Sequence, residues 1–462
     1  MGSSPLPLEL ACLAGACLLV GGLAGILPEE RRRSRLLLDL LLVVLVAAAA
    51  RAIFLTLYPG PARAGDSWEY LRRARLLASG EASFLWDARW HRWSTWTRPP
   101  GYFLFLAGIQ NGFEAWRPAI AWIQAALSVL SAAATYLAAL PLFGRRAAVA
   151  AGLMFALYPE VVLTVSTVLT EPLYLAFLLA ALAALAQVSV RPSTGWAVAA
   201  GVLFGLAAHV RSAPVFFVPV AAVLLLPAHG WRRGLRPAAV LVVATLATVA
   251  PWSIRNSILL GHPMALDDMS VINLLQVSPD EEIFSTQGAD LKTREGYCEY
   301  YARLKRANRG GVLARRGGEI LLRGLGRMAG RPGATLERFG ENLTKFFSLH
   351  NPSFFAGTLS EPRPRRARLM ADLTNGAYLL VLLLGLAALV PALRRRASRP
   401  LLAWFFFNVL VINLIFHPEP KYRLPLLPVA MVVAGFGVAR GVELLRRAGR
   451  SRRDHDGPDP PR

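Results

Sequence analysis

Cysteine is scarce in this chain: 462 residues hold three, at positions 12, 17 and 298. Cys12 and Cys17 share one apolar segment but no common helix face, and Cys298 stands alone. Neither a disulfide framework nor a zinc spacing is present. Acidic residues are also few, 29 against 51 Lys and Arg, giving a formal net charge of +22. In a soluble protein that imbalance would point to nucleic acid. Here much of the positive charge sits in short clusters between apolar segments, which membrane topology explains, and nucleic acid is not an expected partner. No internal repeat is evident. The first apolar run, 8–27, lacks a basic n-region and a clear small-residue cleavage site. It reads as a retained membrane helix rather than a signal peptide.

What is present in excess is apolar length. The composition is 55% hydrophobic with a mean hydropathy of +0.42. About 20 apolar residues cross a bilayer, and such runs recur along the chain. The expected fold is all-α and polytopic, with about eleven transmembrane helices. These fall near 8–27, 36–57, 117–142, 147–163, 170–188, 195–210, 213–228, 237–254, 374–393, 400–416 and 424–445. The basic connectors at Arg31–Arg35, Arg145–Arg146, Arg191, Arg232–Arg236 and Arg394–Arg399, with the tail from Arg446, then share one side. By the positive-inside rule that side is cytoplasmic.

This topology divides the chain into N-terminal membrane helices (1–57), a first external loop (58–116), a central bundle (117–254), an external helical region (255–373), C-terminal membrane helices (374–445) and a polar, proline-rich cytoplasmic tail (446–462) expected to be disordered. Within 255–373, helices are expected near Leu291–Ala307 and Gly318–Phe347. Basic residues there do not contradict an external placement, because long loops escape the charge rule.

The first external loop is polar and aromatic between greasy neighbours. From Asp66 the run DSWEYLRRARLLASG puts Tyr70, Leu71, Ala74, Leu77 and Ala78 on one helical face, with Glu69, Arg72 and Arg73 opposite. That pattern predicts an amphipathic helix lying on the bilayer surface. Asp66 before the helix and Glu69 three residues later also match a capping box, and spacing alone favours the cap over a catalytic role. The two roles are compatible, since a carboxylate at a helix start can still face a site. Trp86, Trp90, Trp93 and Trp96 recur at helical spacing. Interfacial anchoring is the favoured reading for them, and a wall that stacks on sugar or lipid is the alternative.

Other polar groups cluster at the same ends of the predicted spans. Glu171 opens one span, Arg211 ends another, Arg255 and Asn256 end a third, and Lys421, Tyr422 and Arg423 precede the last. Singly, each reads as an interfacial anchor. Together, several cations on the side where positive charge is under-represented suggest a binding site for a lipid-borne anion.

In their order, these segments resemble the polytopic GT-C glycosyltransferases, in particular the protein mannosyltransferase and lipid A aminoarabinose transferase group. The resemblance rests on Gly65-Asp66-Ser67-Trp68-Glu69-Tyr70, Arg98-Pro99-Pro100-Gly101-Tyr102, Tyr158-Pro159, Thr170-Glu171-Pro172, Gly205-Leu206-Ala207 with Arg211, Pro251-Trp252-Ser253-Ile254-Arg255-Asn256, and Lys421-Tyr422-Arg423-Leu424-Pro425. It spans nearly the whole chain from about residue 36. It implies transfer of a sugar from a polyprenyl-phosphate donor to a glycan, lipid or protein acceptor at the extracytoplasmic face of the cell membrane, a bacterial inner membrane by composition. It assigns Asp66 as general base, with Glu69 and Glu171 as further acids of the catalytic group. Arg98, Tyr102, Arg211, Arg255, Asn256, Lys421, Tyr422 and Arg423 are the candidate substrate-binding residues, with Arg211, Arg255 and the Lys421/Arg423 pair holding the donor phosphate.

Two departures stand against the pattern. Ser67 occupies the place where many relatives carry a second adjacent acid, and the span 8–27 precedes the family's expected first helix. No cofactor is implied with certainty. A divalent cation stays open, with Glu81, Asp87, His91 and His262 as unlinked candidate ligands, and the metal is left unassigned. The rival readings are a lipid-linked-sugar flippase or transporter, and an O-antigen ligase-type enzyme.

Overall fold

The computed structural model describes residues 30–60, 66–80, 98–260, 263, 266–267, 299, 312–352, 354–355, 363–415 and 420–455. The span at 8–27, the tryptophan stretch, the four candidate metal ligands and the helix expected near Leu291–Ala307 lie outside them. Among the described residues, seven helices are long and apolar enough to cross a membrane. In the nomenclature used below they are α1 (Glu30–Leu57), α4 (Trp116–Phe143), α7 (Glu171–Val190), α10 (Trp231–Leu260), α13 (Pro364–Arg394), α14 (Arg399–Ile415) and α15 (Leu427–His455). Shorter apolar helices α5 (Arg145–Leu157), α8 (Thr194–Ala208) and α9 (Ala213–His229) complete the bundle. Outside it lie α2 (Ser67–Ala78), α3 (Gly101–Gly112), α6 (Pro159–Thr164), α11 (Val312–Gly330) and α12 (Pro332–Phe347).

Ten of the eleven predicted spans thus correspond to helices of the bundle, and the eleventh is the undescribed 8–27. The boundaries differ where proline intervenes. The span predicted at 147–163 breaks after Leu157, because Pro159 pushes Tyr158 to extended backbone (φ −68°, ψ 118°), and only the short α6 follows. The helix predicted over Gly318–Phe347 is two helices, divided at Arg331 ahead of Pro332. Helix α13 starts at Pro364, well before its apolar part, and α10 runs past residue 254 despite Pro237 and Pro251.

Small residues let the helices approach closely, as membrane packing favours. A Cβ on Gly435 of α15 would overlap the Ala147 carbonyl of α5, and one on Gly201 of α8 would lie 2.6 Å from the Leu241 carbonyl of α10. Exposed leucines at 38, 41, 42 and 45 give α1 an apolar outer surface suited to lipid. Polar staples hold the bundle inside. Arg51 is 1% exposed and donates from Nε and Nη2 to Ser128 Oγ (3.1 and 3.0 Å) and from Nη1 to the Ala156 carbonyl, at the C-terminal end of α5. A cation there meets the negative pole of the helix. At the opposite end of the bundle, among the basic connectors, Asp39 pairs with Arg145, and the Arg395 guanidinium lies against the stacked rings of Phe143 and Phe436. The functional candidates collect at the other end.

Candidate active site

The connection from α5 to α7 is the floor of this end. Its carbonyls at 165–168 are outside regular structure and need donors. Gln124, the amide of an otherwise apolar stretch of α4, donates from Nε2 to Val165 O (3.0 Å) and Thr167 O (2.8 Å). Its Oε1 accepts from the Tyr102 hydroxyl at 2.9 Å. Ser67 Oγ donates to Val168 O at 2.9 Å, so the first residue of α2 is pinned to the floor. Two glycines close the frame. Gly101 N donates to His209 O at 2.6 Å, and a Cβ at Gly101 would sit 2.8 Å from that oxygen. Gly60, at φ +52°, brings the chain after α1 against Ser166, where a Cβ would lie 2.7 Å from the carbonyl.

Asp66 is the N-cap residue of α2, but its carboxylate makes no capping hydrogen bond. The capping box suggested by the spacing is absent, because both acids turn toward guanidinium groups instead. Glu69 is 15% exposed and bridges Arg73 Nη2 (2.6 Å) and Arg98 Nη2 (3.0 Å). Asp66 Oδ2 stands 3.4 Å from the same Arg98 nitrogen and is 57% exposed. Arg98 also donates from Nη1 to the Tyr70 hydroxyl at 3.2 Å. Tyr70 in turn packs edge-on against the buried Tyr102, with ring centroids 5.0 Å apart. Burial raises the Tyr70 phenol above its ordinary range, Arg98 and Arg211 pulling it down and Asp66 and Glu171 pushing it up. Tyr70 therefore remains a hydrogen-bond donor that feels all four charges.

Glu171 opens α7 and is buried against Arg211 (Oε1 to Nη2, 2.6 Å). Arg211 Nε donates to Thr170 Oγ1 at 2.9 Å, and the guanidinium lies over Tyr174. Burial opposes charge on Arg211, but Glu171 together with Tyr70, Tyr174 and Tyr422 outweighs it, and the group is held above its usual value. Three acids (Asp66, Glu69, Glu171) thus face three arginines (Arg73, Arg98, Arg211). Each acid is turned to an arginine, so the set does not form a cation cage. Among the described residues no group of three His, Cys, Asp or Glu side chains converges.

Arg211 also lies within electrostatic range of Tyr422, which leads to the second cluster. Arg423, in the tight turn Pro420–Arg423 before α15, is 2% exposed. Its Nη1 donates to Ser348 O at 2.6 Å and its guanidinium stacks 4.1 Å over Tyr378 of α13. It is the charged group among the residues lining a small apolar cleft whose walls include Phe346, Phe347, Val381, Phe405 and Leu427. The buried Tyr158 hydroxyl, which has no hydrogen-bond partner among the described residues, is electrostatically coupled to Arg423 and Tyr378.

The predicted residues thus fall into separate groups. In the first, Asp66, Glu69 and Arg98 are joined by ion pairs, Tyr102 lies behind Tyr70 with its hydroxyl engaged by Gln124, and the Glu171–Arg211 pair stands near enough for its charges to reach Tyr70. Tyr422 and Arg423 form the second. The contacts described for Arg255 stay at its own helix end, over the Trp252 ring (4.6 Å) and to Asn256 Oδ1 (2.8 Å), and bring neither residue to Asp66. The Lys421 side chain is outside the described residues. Sequence reasoning passed over Gln124, Glu160 and His350. Gln124 carried a signal, an amide in an apolar helix; His350 carried none.

Residues 97–254 match the family model described as dolichyl-phosphate-mannose-protein mannosyltransferase. Among solved structures, the Archaeoglobus fulgidus oligosaccharyltransferase AglB in complex with an inhibitory peptide and a dolichol-phosphate aligns with a TM-score of 0.51 and 16% identity, covering 91% of this chain and 52% of that one. The same archaeal enzyme tethered to an acceptor peptide aligns with a TM-score of 0.52 and 16% identity, over 88% and 50%. ArnT from Cupriavidus metallidurans bound to undecaprenyl phosphate gives 0.39 and 15%, over 87% and 77%. No curated protein matches the chain. The chain spans about half the length of the oligosaccharyltransferase structures, and at 16% identity the likeness is one of fold. That fold is the GT-C architecture the sequence resembles, and the family match falls on the same resemblance.

Proposed function

We propose that this GT-C-fold protein transfers a sugar from a polyprenyl-phosphate donor to a glycan, lipid or protein acceptor at the extracytoplasmic face of a bacterial inner membrane. The observation that carries the reading is Arg423, buried among the residues that line an apolar cleft. Such a cleft suits a molecule that is apolar along its length and anionic at its end. A buried guanidinium faces that anion in a low-dielectric setting, where its pull is strongest. The family match and the dolichol-phosphate in the AglB complex support the same donor class. Placing the site outside the cell follows from the basic connectors, which occupy the other end of the bundle.

In this reading the acceptor hydroxyl gives its proton to Asp66 Oδ2 as its oxygen bonds to the anomeric carbon. The bond from that carbon to the phosphate oxygen breaks, and the electron pair leaves with the phosphate. Arg423 stabilises the charge that develops there, and Arg211 contributes its field from the adjacent cluster. Asp66 is suited to the base role as the most exposed acid of the cluster, in the longest of its ion pairs. Glu69 and Glu171 are engaged by arginines, so they orient the site rather than accept the proton.

The test is mass spectrometry of cell-envelope glycans and glycolipids with and without the protein, together with transfer by the purified protein in liposomes from a polyprenyl-phosphate sugar. Loss of one sugar and transfer in vitro support the reading. Movement of donor across the liposome without any new glycosidic bond would favour the flippase instead.

A further inference from the structure

The short helix α6 and the segment after α12 are joined by a buried hydrogen bond between Glu160 and His350. Glu160, in the first turn of α6, is 3% exposed at its side chain, and His350, just beyond α12, is 1% exposed. His350 Nε2 stands 3.2 Å from Glu160 Oε2 and donates when it carries the proton. The segment around His350 is held from three further sides. Asn375 of α13 donates from Nδ2 to His350 O (3.0 Å), and its Oδ1 accepts from His350 N (2.8 Å). Ser348 O, two residues earlier, accepts from Arg423. The imidazole stacks on Phe354 at 4.8 Å and meets Phe355 edge-on at 5.7 Å. On the α6 side Tyr158, two residues before Glu160, is coupled to Arg423. Hydrogen bonds thus tie Arg423 to Ser348 and His350 to Glu160, so the segment that receives the guanidinium is anchored on α6.

A fully buried pair is weak support for stability, because desolvation consumes most of its attraction. An apolar pair would join these segments as firmly. What the Glu160–His350 hydrogen bond adds is direction, since a charge-assisted hydrogen bond fixes geometry as well as distance. The thing fixed is the carbonyl of Ser348, and through it the guanidinium that lines the cleft.

We propose that Glu160 and His350 are positioning residues that hold Arg423 toward the phosphate of the lipid donor, and so set donor affinity. The inference rests on the donor reading above. Its test uses the full-length protein in detergent and undecaprenyl phosphate as the probe, with binding and steady-state transfer measured for H350F, H350Q and E160Q. Phenylalanine keeps the ring contacts and loses the donor; glutamine keeps a donor. Loss of one charge-assisted bond should weaken binding about tenfold in H350F. The same variant should raise the donor KM with kcat and acceptor KM little changed, and H350Q should stay within about threefold of wild type. E160Q, which retains an acceptor without the charge, should fall between them. Wild-type affinity in H350F removes the inference while leaving the donor reading intact. So does equal loss in H350F and H350Q accompanied by a lowered Tm, because that would be a structural role. A wild-type protein that binds no undecaprenyl phosphate removes the donor reading and this inference with it.

Discussion

Replacing Asp66 by Asn separates chemistry from architecture at this site. The side chain keeps its shape and one carbonyl oxygen, and loses its charge and its capacity to take a proton. The structural cost is small for reasons visible in the geometry. The carboxylate makes no capping hydrogen bond, is 57% exposed, and meets Arg98 only at 3.4 Å. An exposed pair of that kind is worth about 0.5 kcal/mol or less. The helix start survives as well, because the Asp66 carbonyl accepts from Glu69 N and Tyr70 N independently of the side chain. Arg98 keeps Glu69 and Tyr70 as partners. Against this, removing a general base costs about 10²–10⁴-fold in rate. The assay is transfer of a radiolabelled or fluorescent polyprenyl-phosphate sugar in liposomes, with thermal unfolding of the same preparation as control. The expected result is a folded protein with wild-type Tm and kcat lowered at least a hundredfold, at similar donor KM. Full activity in folded Asp66→Asn would refute the base assignment. A collapse in folded yield would refute the claim that Asp66 is structurally dispensable.

Arg423→Lys keeps the charge but loses the planar fork that serves Ser348 O and Tyr378 together. It should raise the donor KM roughly tenfold, while Arg255→Ala, whose described contacts are local, should change it less; the reverse order in a donor titration would move the phosphate site to α10. Glu171→Gln leaves the Arg211 charge without its carboxylate and should lower stability by about 2–3 kcal/mol, below the fully buried case because Arg211 is 30% exposed, a loss to be read by thermal unfolding in detergent. Burial raises the phenols of Tyr70, Tyr102 and Tyr158 above their ordinary value near 10. Their contribution to stability is complete below that pH. It is lost as pH rises further, when unfolded tyrosines ionise and folded ones do not, so unfolding followed by phenolate absorbance should become easier only above about pH 10.

The bundle was legible because membrane helices announce themselves through apolar length, and the basic connectors fixed which ends lie together. Proline marked the breaks less well: Pro159 and Pro332 interrupt helices, while Pro237, Pro251 and Pro391 are carried within them. The difference depends on neighbours that pattern alone does not reveal. Asp66 stood out through its place before an amphipathic run, but the spacing favoured a capping box that does not form. Spacing records which groups can reach a helix end, not which competitor is nearer. Here Arg98, 32 residues away in sequence, reaches both acids. His350 was invisible for the same reason, since its partner lies 190 positions away.

The competition at Arg98 also bears on why the site has three acids when one base suffices. A lone carboxylate next to a bilayer would be drawn into the nearest guanidinium and held there. Glu69 stands closer to Arg98 and shares Arg73 as well, and Glu171 engages Arg211. With Arg73 and Arg98 already paired to Glu69, the pull on Asp66 is divided, and its carboxylate is left at the longest contact and greatest exposure of the group. On this argument Glu69 has a definite job that charge alone does not describe. Its loss would let Arg98 close on Asp66, so a missing neighbour acid would silence the base by satisfying it.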